Sequence, residues 1–206
     1  MISFDHKKIL ELPRRYRAQL INSLSGYKSA NLIGTVDAKD QENLGLFSSV
    51  VHIGAHPPLL GFILRPTTVP RHTFENIKET GYYTINHICR SIIRQAHHSS
   101  AKYEKTISEF TMTGLGSVYK TDFPAPYVAE SPIQIGLQFV EAIPIPANQT
   151  QLIVGSIEEI HLSEEILRED GAADLSKADI AALIGLDTYV TPNTPLKLDY
   201  QKPLVT

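Results

Sequence analysis

Two adjacent hydroxyl side chains, Ser48 and Ser49, interrupt an otherwise apolar stretch of the chain. Buried hydroxyl groups need hydrogen-bond partners, so core packing alone explains this pair poorly. Arg65 ends the next apolar run, and Arg71 and Thr73 stand where helical periodicity begins. A phosphate dianion gains charge-assisted hydrogen bonds from guanidinium groups and from N–H groups at a helix start, so these residues fit a phosphate monoester site. The alternative interpretation is that the serines bulge the strand, the arginines are solvated and Thr73 only caps the helix.

Strand patterns in the middle of the chain must position these residues. Residues 30–36 and 43–53 are extended segments on either side of a polar turn, which predicts a hairpin. Residues 59–64 form an apolar run typical of a strand that is buried on both faces. Residues 133–143 and 151–161 alternate in polarity and predict a second, longer hairpin, and residues 82–86 predict a short strand.

Helices are predicted between these strands, and they define the fold class. The predicted helical segments are residues 7–24, 70–81, 88–103 and 176–184, with His72 or Thr73 as the cap of the second. Because the strands come in hairpins and not in regular βαβ units, we expect a mainly β protein, an antiparallel barrel with inserted helices. Residues 1–206 are predicted to form one domain with a helical N-terminal segment and an irregular, proline-punctuated C-terminal tail over residues 192–206.

Composition and missing motifs exclude several classes of function. A net charge of −3 lacks the basic excess that a general nucleic-acid binder needs. No apolar run is long enough to span a membrane, the N-terminus has no signal-peptide pattern, and one cysteine, Cys89, excludes an internal disulfide bond. We therefore expect a cytoplasmic protein with no membrane or nucleic-acid partner. No Rossmann glycine motif or P-loop is present, and no histidine spacing predicts a metal site.

Several short motifs, taken in order, resemble the flavin reductase-like family. They are Asn-Leu-Gly-Leu-Phe-Ser-Ser-Val at 43–50, His-Pro-Pro-Leu-Leu-Gly-Phe at 56–62, Arg-His-Thr-Phe-Glu-Asn-Ile at 71–77 and Thr-Gly-Tyr-Tyr-Thr-Ile-Asn at 80–86. Ser-Glu-Phe at 108–110, Gly-Leu at 114–115 and Leu-Ile-Val-Gly-Ser-Ile at 152–157 continue the pattern. His72 stands where the family commonly has aspartate. The resemblance implies an FMN-binding split β-barrel, usually a homodimer with the flavin at or near the subunit interface.

The same resemblance implies an NAD(P)H-dependent flavin reductase, which passes hydride from the nicotinamide to flavin N5. It assigns Ser48, Ser49 and Thr73 to the ribityl phosphate or chain and Arg65 and Arg71 to phosphate counter-charges. The backbone of residues 46–50 would follow the isoalloxazine edge. The full predicted cofactor-binding set is Asn31, Asn43, Leu46, Phe47, Ser48, Ser49, Val50, Arg65, Arg71, His72 and Thr73. No catalytic acid or base is predicted.

Other functions stay open on the sequence. The protein is alternatively an FMN-binding electron carrier or flavin-storage module without NAD(P)H turnover, or a barrel that has lost its flavin and serves as an interaction module. His52, His56 and Tyr103 are candidates to line a nicotinamide or acceptor side, or are structural. FAD is the alternative to FMN, and the sequence distinguishes neither NADH from NADPH nor the final electron acceptor, such as a redox partner protein.

Overall fold

A seven-stranded antiparallel sheet dominates the computed structural model of the chain, which describes residues 1–192 and 194–198. The strands are β1 (Lys28–Ser29), β2 (Asn31–Val36), β3 (Glu42–Phe47), β4 (Val50–Ala55), β5 (Pro58–Leu64), β6 (Tyr82–His87), β7 (Ser117–Val118), β8 (Tyr127–Val128), β9 (Ile133–Ile145), β10 (Thr150–Leu162), β11 (Ala182–Ile184) and β12 (Thr188–Val190). The order in the large sheet is β3-β2-β6-β9-β10-β5-β4. Strand β11 pairs with β1 and β12 in a smaller sheet, and β7 pairs with β8.

The two edge strands of this sheet are neighbours in sequence. β3 and β4 lie at opposite edges, and only Ser48 and Ser49 connect them. Three residue steps span at most about 11 Å of extended chain, so the connection brings the two edges together. The sheet therefore curls into an antiparallel barrel with a gap between β3 and β4, which confirms the predicted split barrel. We call this gap, bridged by Ser48 and Ser49, the split.

Large apolar side chains fill the inside of the barrel. The rings of Phe47 and Phe62 meet edge to face with centroids 4.9 Å apart, and Phe62 meets Tyr83 in the same way at 5.8 Å. Gly155 makes room for Tyr83, because a Cβ at that position would lie 2.2 Å from the Tyr83 hydroxyl oxygen. Ile33, Ile85, Leu137 and Ile153 are fully buried in the same cluster.

The helices are α1 (His6–Glu11), α2 (Arg14–Ser23), α3 (His72–Thr80), α4 (Ile93–His98) and α5 (Glu109–Thr113), with a short 3₁₀ turn at Arg90–Ile92. Helix α3 packs against β2 and β3 through buried Phe74 and Ile77, and it ends at Gly81, whose φ of 80° suits a left-handed cap. Its N-cap is Arg71, which corrects the prediction of His72 or Thr73. The Arg71 N–H donates to Glu75 Oε1 at 3.2 Å, whereas the Thr73 hydroxyl is buried.

The predicted hairpins of residues 30–53 and 133–161 are present, as β2–β3 and β9–β10. However, the predicted extended segment 43–53 is broken at Ser48 and Ser49, so its second half pairs with β5 at the far edge of the sheet. The N-terminal helical segment is two helices, since Pro13 stands between them as the N-cap of α2. The predicted helix 88–103 is short, and only the 3₁₀ turn and α4 are helical.

The predicted helix over residues 176–184 is wrong. The Asp174 carboxylate accepts the N–H groups of Ser176 and Lys177, and Asp179 adopts a φ of 50°, so the segment forms a turn. Residues 182–184 then pair with β1 as β11. Residue 193 and residues 199–206 of the predicted irregular tail lie outside the described residues. Among the described helices, none combines the length and the apolar character needed to cross a bilayer.

Two fully buried tyrosines provide a matched test of this core. The Tyr83 hydroxyl has no hydrogen-bond partner in the described part of the chain, whereas the Tyr127 hydroxyl donates to Glu159 Oε1 at 2.5 Å. We expect Tyr83→Phe to leave the free energy of unfolding unchanged or raise it by up to about 1 kcal/mol, and Tyr127→Phe to lower it by about 1.5–3 kcal/mol. Urea unfolding followed by circular dichroism measures both. Equal losses in the two variants would contradict the assignment of an unsatisfied Tyr83 hydroxyl.

Candidate functional site

Strand β3 has a free edge at the split. The Leu44 N–H points away from β2 and donates to Glu109 Oε2 at 2.9 Å. Because N–H directions alternate along an antiparallel strand, the Leu46 N–H also points to this free edge, and Ser48 follows where the strand ends. In the described part of the chain the Ser48 and Ser49 N–H groups donate to no backbone carbonyl. The Leu44 N–H is bonded to Glu109, and the backbone N–H groups that follow it along this edge are available to a ligand.

The two serines of the split play different parts. The Ser49 hydroxyl donates to the Ile63 carbonyl and accepts from the Ile63 N–H, both at 3.1 Å, so it fastens the connection to β5. The Ser48 side chain is half-buried, and its hydroxyl makes no hydrogen bond within the described residues. Of the two serine hydroxyls predicted as ligands, only that of Ser48 is therefore free of an internal partner.

Asn31 presents an unsatisfied acceptor beside the end of β3. Its side chain is fully buried, and its Nδ2 donates to Ser29 Oγ at 3.0 Å, but its Oδ1 has no partner in the described part of the chain. The strand register places Asn31 opposite Phe47 on one side and opposite His87 on the other. A buried carbonyl oxygen without a donor costs free energy, so this atom points to a missing ligand or solvent molecule.

His87 was not foreseen from the sequence. Its side chain lies opposite Asn31, its Nδ1 has no partner among the described residues, and burial lowers its pKa to about 4. The imidazole is therefore neutral at physiological pH. Only the register of β2 against β6 brings it to this place, and no local sequence signal marks it.

Asn43 and Thr73, both in the predicted flavin-binding set, meet in a buried network beneath the strands. Asn43 Nδ2 donates to Thr73 Oγ1 at 3.0 Å, and Asn76 Nδ2 donates to Thr35 Oγ1 at 3.2 Å. The Thr73 side chain is only 8% exposed. The network ties α3 to β2 and β3 and holds the strand that borders the split.

Glu109 lies in the Ser-Glu-Phe motif at 108–110, but the sequence predicted no role for it. Its carboxylate holds the free edge of β3 through Leu44. Burial raises the pKa of this carboxyl, while the Leu44 N–H and the charge of nearby His72 act in the opposite direction. His72 is half-buried at the first position of α3, and its charge acts on the Glu109 carboxyl.

The predicted cations lie in different surroundings. Arg65 is exposed at the end of β5, close to Lys28, whose pKa is lowered by burial and then by the charge of Arg65. Lys28 Nζ donates to the carbonyl oxygens of Asn22 and Gly185 at 3.1 and 2.9 Å. Arg71 is half-buried and its Nε donates to the Pro66 carbonyl at 3.1 Å, which braces the loop before α3.

The remaining predicted contacts come from β3, β4 and their surroundings. The Phe47 ring is inside the barrel, so only its backbone faces the split; the Leu46 and Val50 side chains pack against the core and are half-buried. His52 and His56 are exposed, and the Tyr103 hydroxyl pairs with His98 Nε2 at 3.0 Å. Within residues 1–192 and 194–198, no group of three or more histidine, cysteine, aspartate or glutamate side chains is placed to hold a metal ion.

Comparison with known proteins agrees with this geometry. The flavin reductase like domain matches residues 24–177. A split-barrel protein from Shewanella frigidimarina NCIMB 400, described as a candidate flavin reductase, is 46% identical, with 98% of this chain and 100% of that chain covered and a TM-score of 0.94. Flavoredoxin of Desulfovibrio vulgaris (Miyazaki F) is 25% identical, with 85% and 92% covered and a TM-score of 0.74.

Nitrilotriacetate monooxygenase component B from Bacillus cereus shares the fold at 17% identity, with 96% of this chain and 98% of that chain covered and a TM-score of 0.84. No curated protein matches the chain in sequence. The family match covers most of the chain and includes the split, Glu109 and the Asn43–Thr73 network. The chain therefore belongs to the flavin reductase-like family of flavin-binding split-barrel oxidoreductases.

Proposed function

We propose that the split binds FMN and that the protein is an NAD(P)H-dependent flavin reductase. The observation that carries the proposal is the combination of open N–H donors on the free edge of β3 with the unsatisfied Oδ1 of Asn31. A flavin ring has acceptors along one edge and a ring N–H, which are the complementary groups. The backbone of residues 46–50 would hold the ring edge, and Asn31 would accept from a ring N–H.

The anionic tail of the cofactor needs donors and positive charge. The Ser48 hydroxyl is free, and Arg65 lies near Lys28 two residues beyond the Ile63 peptide that fastens Ser49. Arg71, His72 and Thr73 form the start of α3, where backbone N–H groups favour an anion. This set suits one phosphate monoester, and FMN is favoured over FAD because the sequence shows no adenine-binding element.

Bound flavin supplies the redox chemistry, since its N5 accepts hydride. The protein residues bind and orient the ring, and N–H groups at the ring edge stabilise the negative charge of the reduced form. Ser49, Glu109 and the Asn43–Thr73 network keep β3 rigid, which preserves the orientation of those donors. We assign no residue as a proton donor or acceptor.

The second candidate is an FMN-binding electron carrier without NAD(P)H turnover of its own. The similarity to a flavoredoxin at 25% identity favours it. Both candidates use the same flavin site, so they differ only in whether a nicotinamide nucleotide reduces the bound flavin directly.

Anaerobic titration separates the two candidates. We expect NADH or NADPH to bleach the oxidised-flavin absorbance of the purified holoprotein, and the nucleotide that does so at lower concentration identifies the natural reductant. Dithionite serves as the control, because it reduces the flavin of either candidate. Bleaching by dithionite but by neither nucleotide would identify an electron carrier, and a protein that binds no added FMN would contradict the flavin site.

The phosphate assignment is tested on two arginines. We expect Arg65→Gln to weaken FMN binding by about 10-fold to 100-fold, equivalent to about 1.5–3 kcal/mol, because a charge-assisted hydrogen bond is lost. Arg71→Gln is expected to weaken it in the same range. Quenching of FMN fluorescence measures both, and Arg14→Gln, an exposed arginine on α2, is the control. If Arg71→Gln binds FMN normally and Arg65→Gln does not, the phosphate lies at Arg65 alone.

We further propose that the protein is a homodimer. Its subunits would meet through the outer face of β4, β5, β10 and β9, the four neighbouring strands that begin at one edge of the split. Val51, Ile53 and Ile143 are 44%, 39% and 41% exposed on this face, and the Cδ1 atoms of Ile53 and Leu152 flank Gly61 between them. Exposed aliphatic side chains grouped on one sheet face indicate an interaction surface. A second copy of the chain suits it, because most soluble oligomers are symmetric pairs and the resemblance implies a homodimer.

A charge on this face is expected to separate the subunits. Ile53→Lys would place an ammonium group in the apolar interface, where its desolvation is costly, so the variant should elute as a monomer. Light scattering coupled to size-exclusion chromatography measures the mass. Leu175→Lys, at a side chain 46% exposed elsewhere on the surface, is the control. A dimeric Ile53→Lys variant, or a monomeric parent protein, would refute the proposed face.

A further inference from the structure

A cavity open to solvent lies where β9 begins and β10 ends. It has a volume of about 420 Å³ and is bounded by Lys120, by Gln134 at the beginning of β9, and by His161 at the end of β10 with Ser163 just after it. In the sheet order β9 is three strands from β3, and β10 is two strands from β4. Gln134 and His161 are directly opposite each other in the register, so one sheet face supplies both.

Lys120 brings a positive charge without a counter-ion to this cavity. Its ammonium group is half-buried and donates to Gln134 Oε1 at 2.5 Å, and it forms no ion pair within the described part of the chain. Gln134 is held in turn, because its Nε2 donates to the Val128 carbonyl at 2.6 Å. A partly desolvated cation that meets only a neutral amide still has donors and charge available for an anion.

The acidic side chain of Glu159, next to His161 of the cavity lining, is occupied by internal hydrogen bonds. Glu159 accepts hydrogen bonds from Tyr127 at 2.5 Å, from His161 Nε2 at 2.9 Å and from Thr121. Burial raises the pKa of its carboxyl, but these three hydrogen bonds and the charge of His161 hold it below its usual value. The carboxylate is therefore ionised and fixes a proton on His161 Nε2.

Two further groups of the cavity lining are left for a ligand. His161 Nδ1 has no hydrogen-bond partner among the described residues, and with the Nε2 proton donated to Glu159 it is free to accept a hydrogen bond. The Ser163 hydroxyl oxygen accepts from the Glu165 N–H at 3.2 Å, which leaves its own proton to donate. Lys120 and Ser163 thus offer one cation and one hydroxyl donor to the same space, and His161 offers one acceptor.

We propose that this cavity is a binding site for a small organic oxyanion, a carboxylate or a phosphate ester, whose charged group is held by Lys120 and Ser163. The volume is within the range of small-molecule sites and is larger than a single inorganic ion requires. We therefore infer a ligand that carries its charged group on a larger organic molecule. The site is separate from the flavin split and does not depend on the proposed function.

The test uses the full chain with citrate and inorganic phosphate as probes and sodium chloride at matched ionic strength as the reference. Isothermal titration calorimetry and the melting temperature report binding without any need for flavin turnover. We expect saturable binding of at least one probe, a loss of about tenfold in affinity in Lys120→Gln and retention in Lys120→Arg, because the charge-assisted bond requires the cation. Lys39→Gln, an exposed lysine on the β2–β3 turn, should bind like the parent protein.

The probe that binds identifies the class of ligand. Citrate binding alone assigns the carboxylate class, and phosphate binding alone assigns the phosphate-ester class. Absence of saturable binding beyond the effect of sodium chloride overturns the site, as does an equal loss in Lys39→Gln and Lys120→Gln. Loss of binding in Lys120→Gln counts only when its FMN retention and circular dichroism match the parent protein, and Lys120→Arg supplies the folded comparison. A failed flavin titration leaves these results untouched.

Discussion

The two-residue connection between β3 and β4 is the constraint on which the rest of the structure depends. It joins the opposite edges of a seven-stranded sheet, so the sheet must close, yet the two edge strands that it connects do not pair with each other. A closed barrel normally removes its sheet edges. This barrel keeps one pair of edges, and their free backbone groups are what a ligand can use.

The surroundings of the split make that opening stable. Ser49 exchanges two hydrogen bonds with Ile63, and Glu109 occupies the Leu44 N–H at the other end of the free edge. Beneath the strand, Asn43 and Thr73 share a buried hydrogen bond, which helps to fix the geometry of β3. Asn31 Oδ1, beside the end of β3, has no partner among the described residues, and the proposed flavin would supply one.

Positive charge collects at two separate places in the molecule. Arg65 and Lys28 gather positive charge near the split, and Lys120 carries an uncompensated ammonium group into the cavity beside β9 and β10. In both places the neighbouring partners are neutral carbonyl or amide oxygens. Both proposed anion sites therefore keep positive charge available, and they use different strands of one barrel.

The sequence by itself determined the fold class, the two hairpins, helix α3 with its stop at Gly81, and the family, because alternation, turn residues and ordered motifs are local properties of the chain. It could not separate Ser48 from Ser49, since neighbouring hydroxyls look alike until one of them meets Ile63 on a different strand. It also failed at residues 176–184, where Asp174 and the pairing of β11 with β1 overrode helical periodicity. Asn31 with His87, and Lys120 with His161, are far apart in the chain, and only strand register and barrel closure brought each pair to one place.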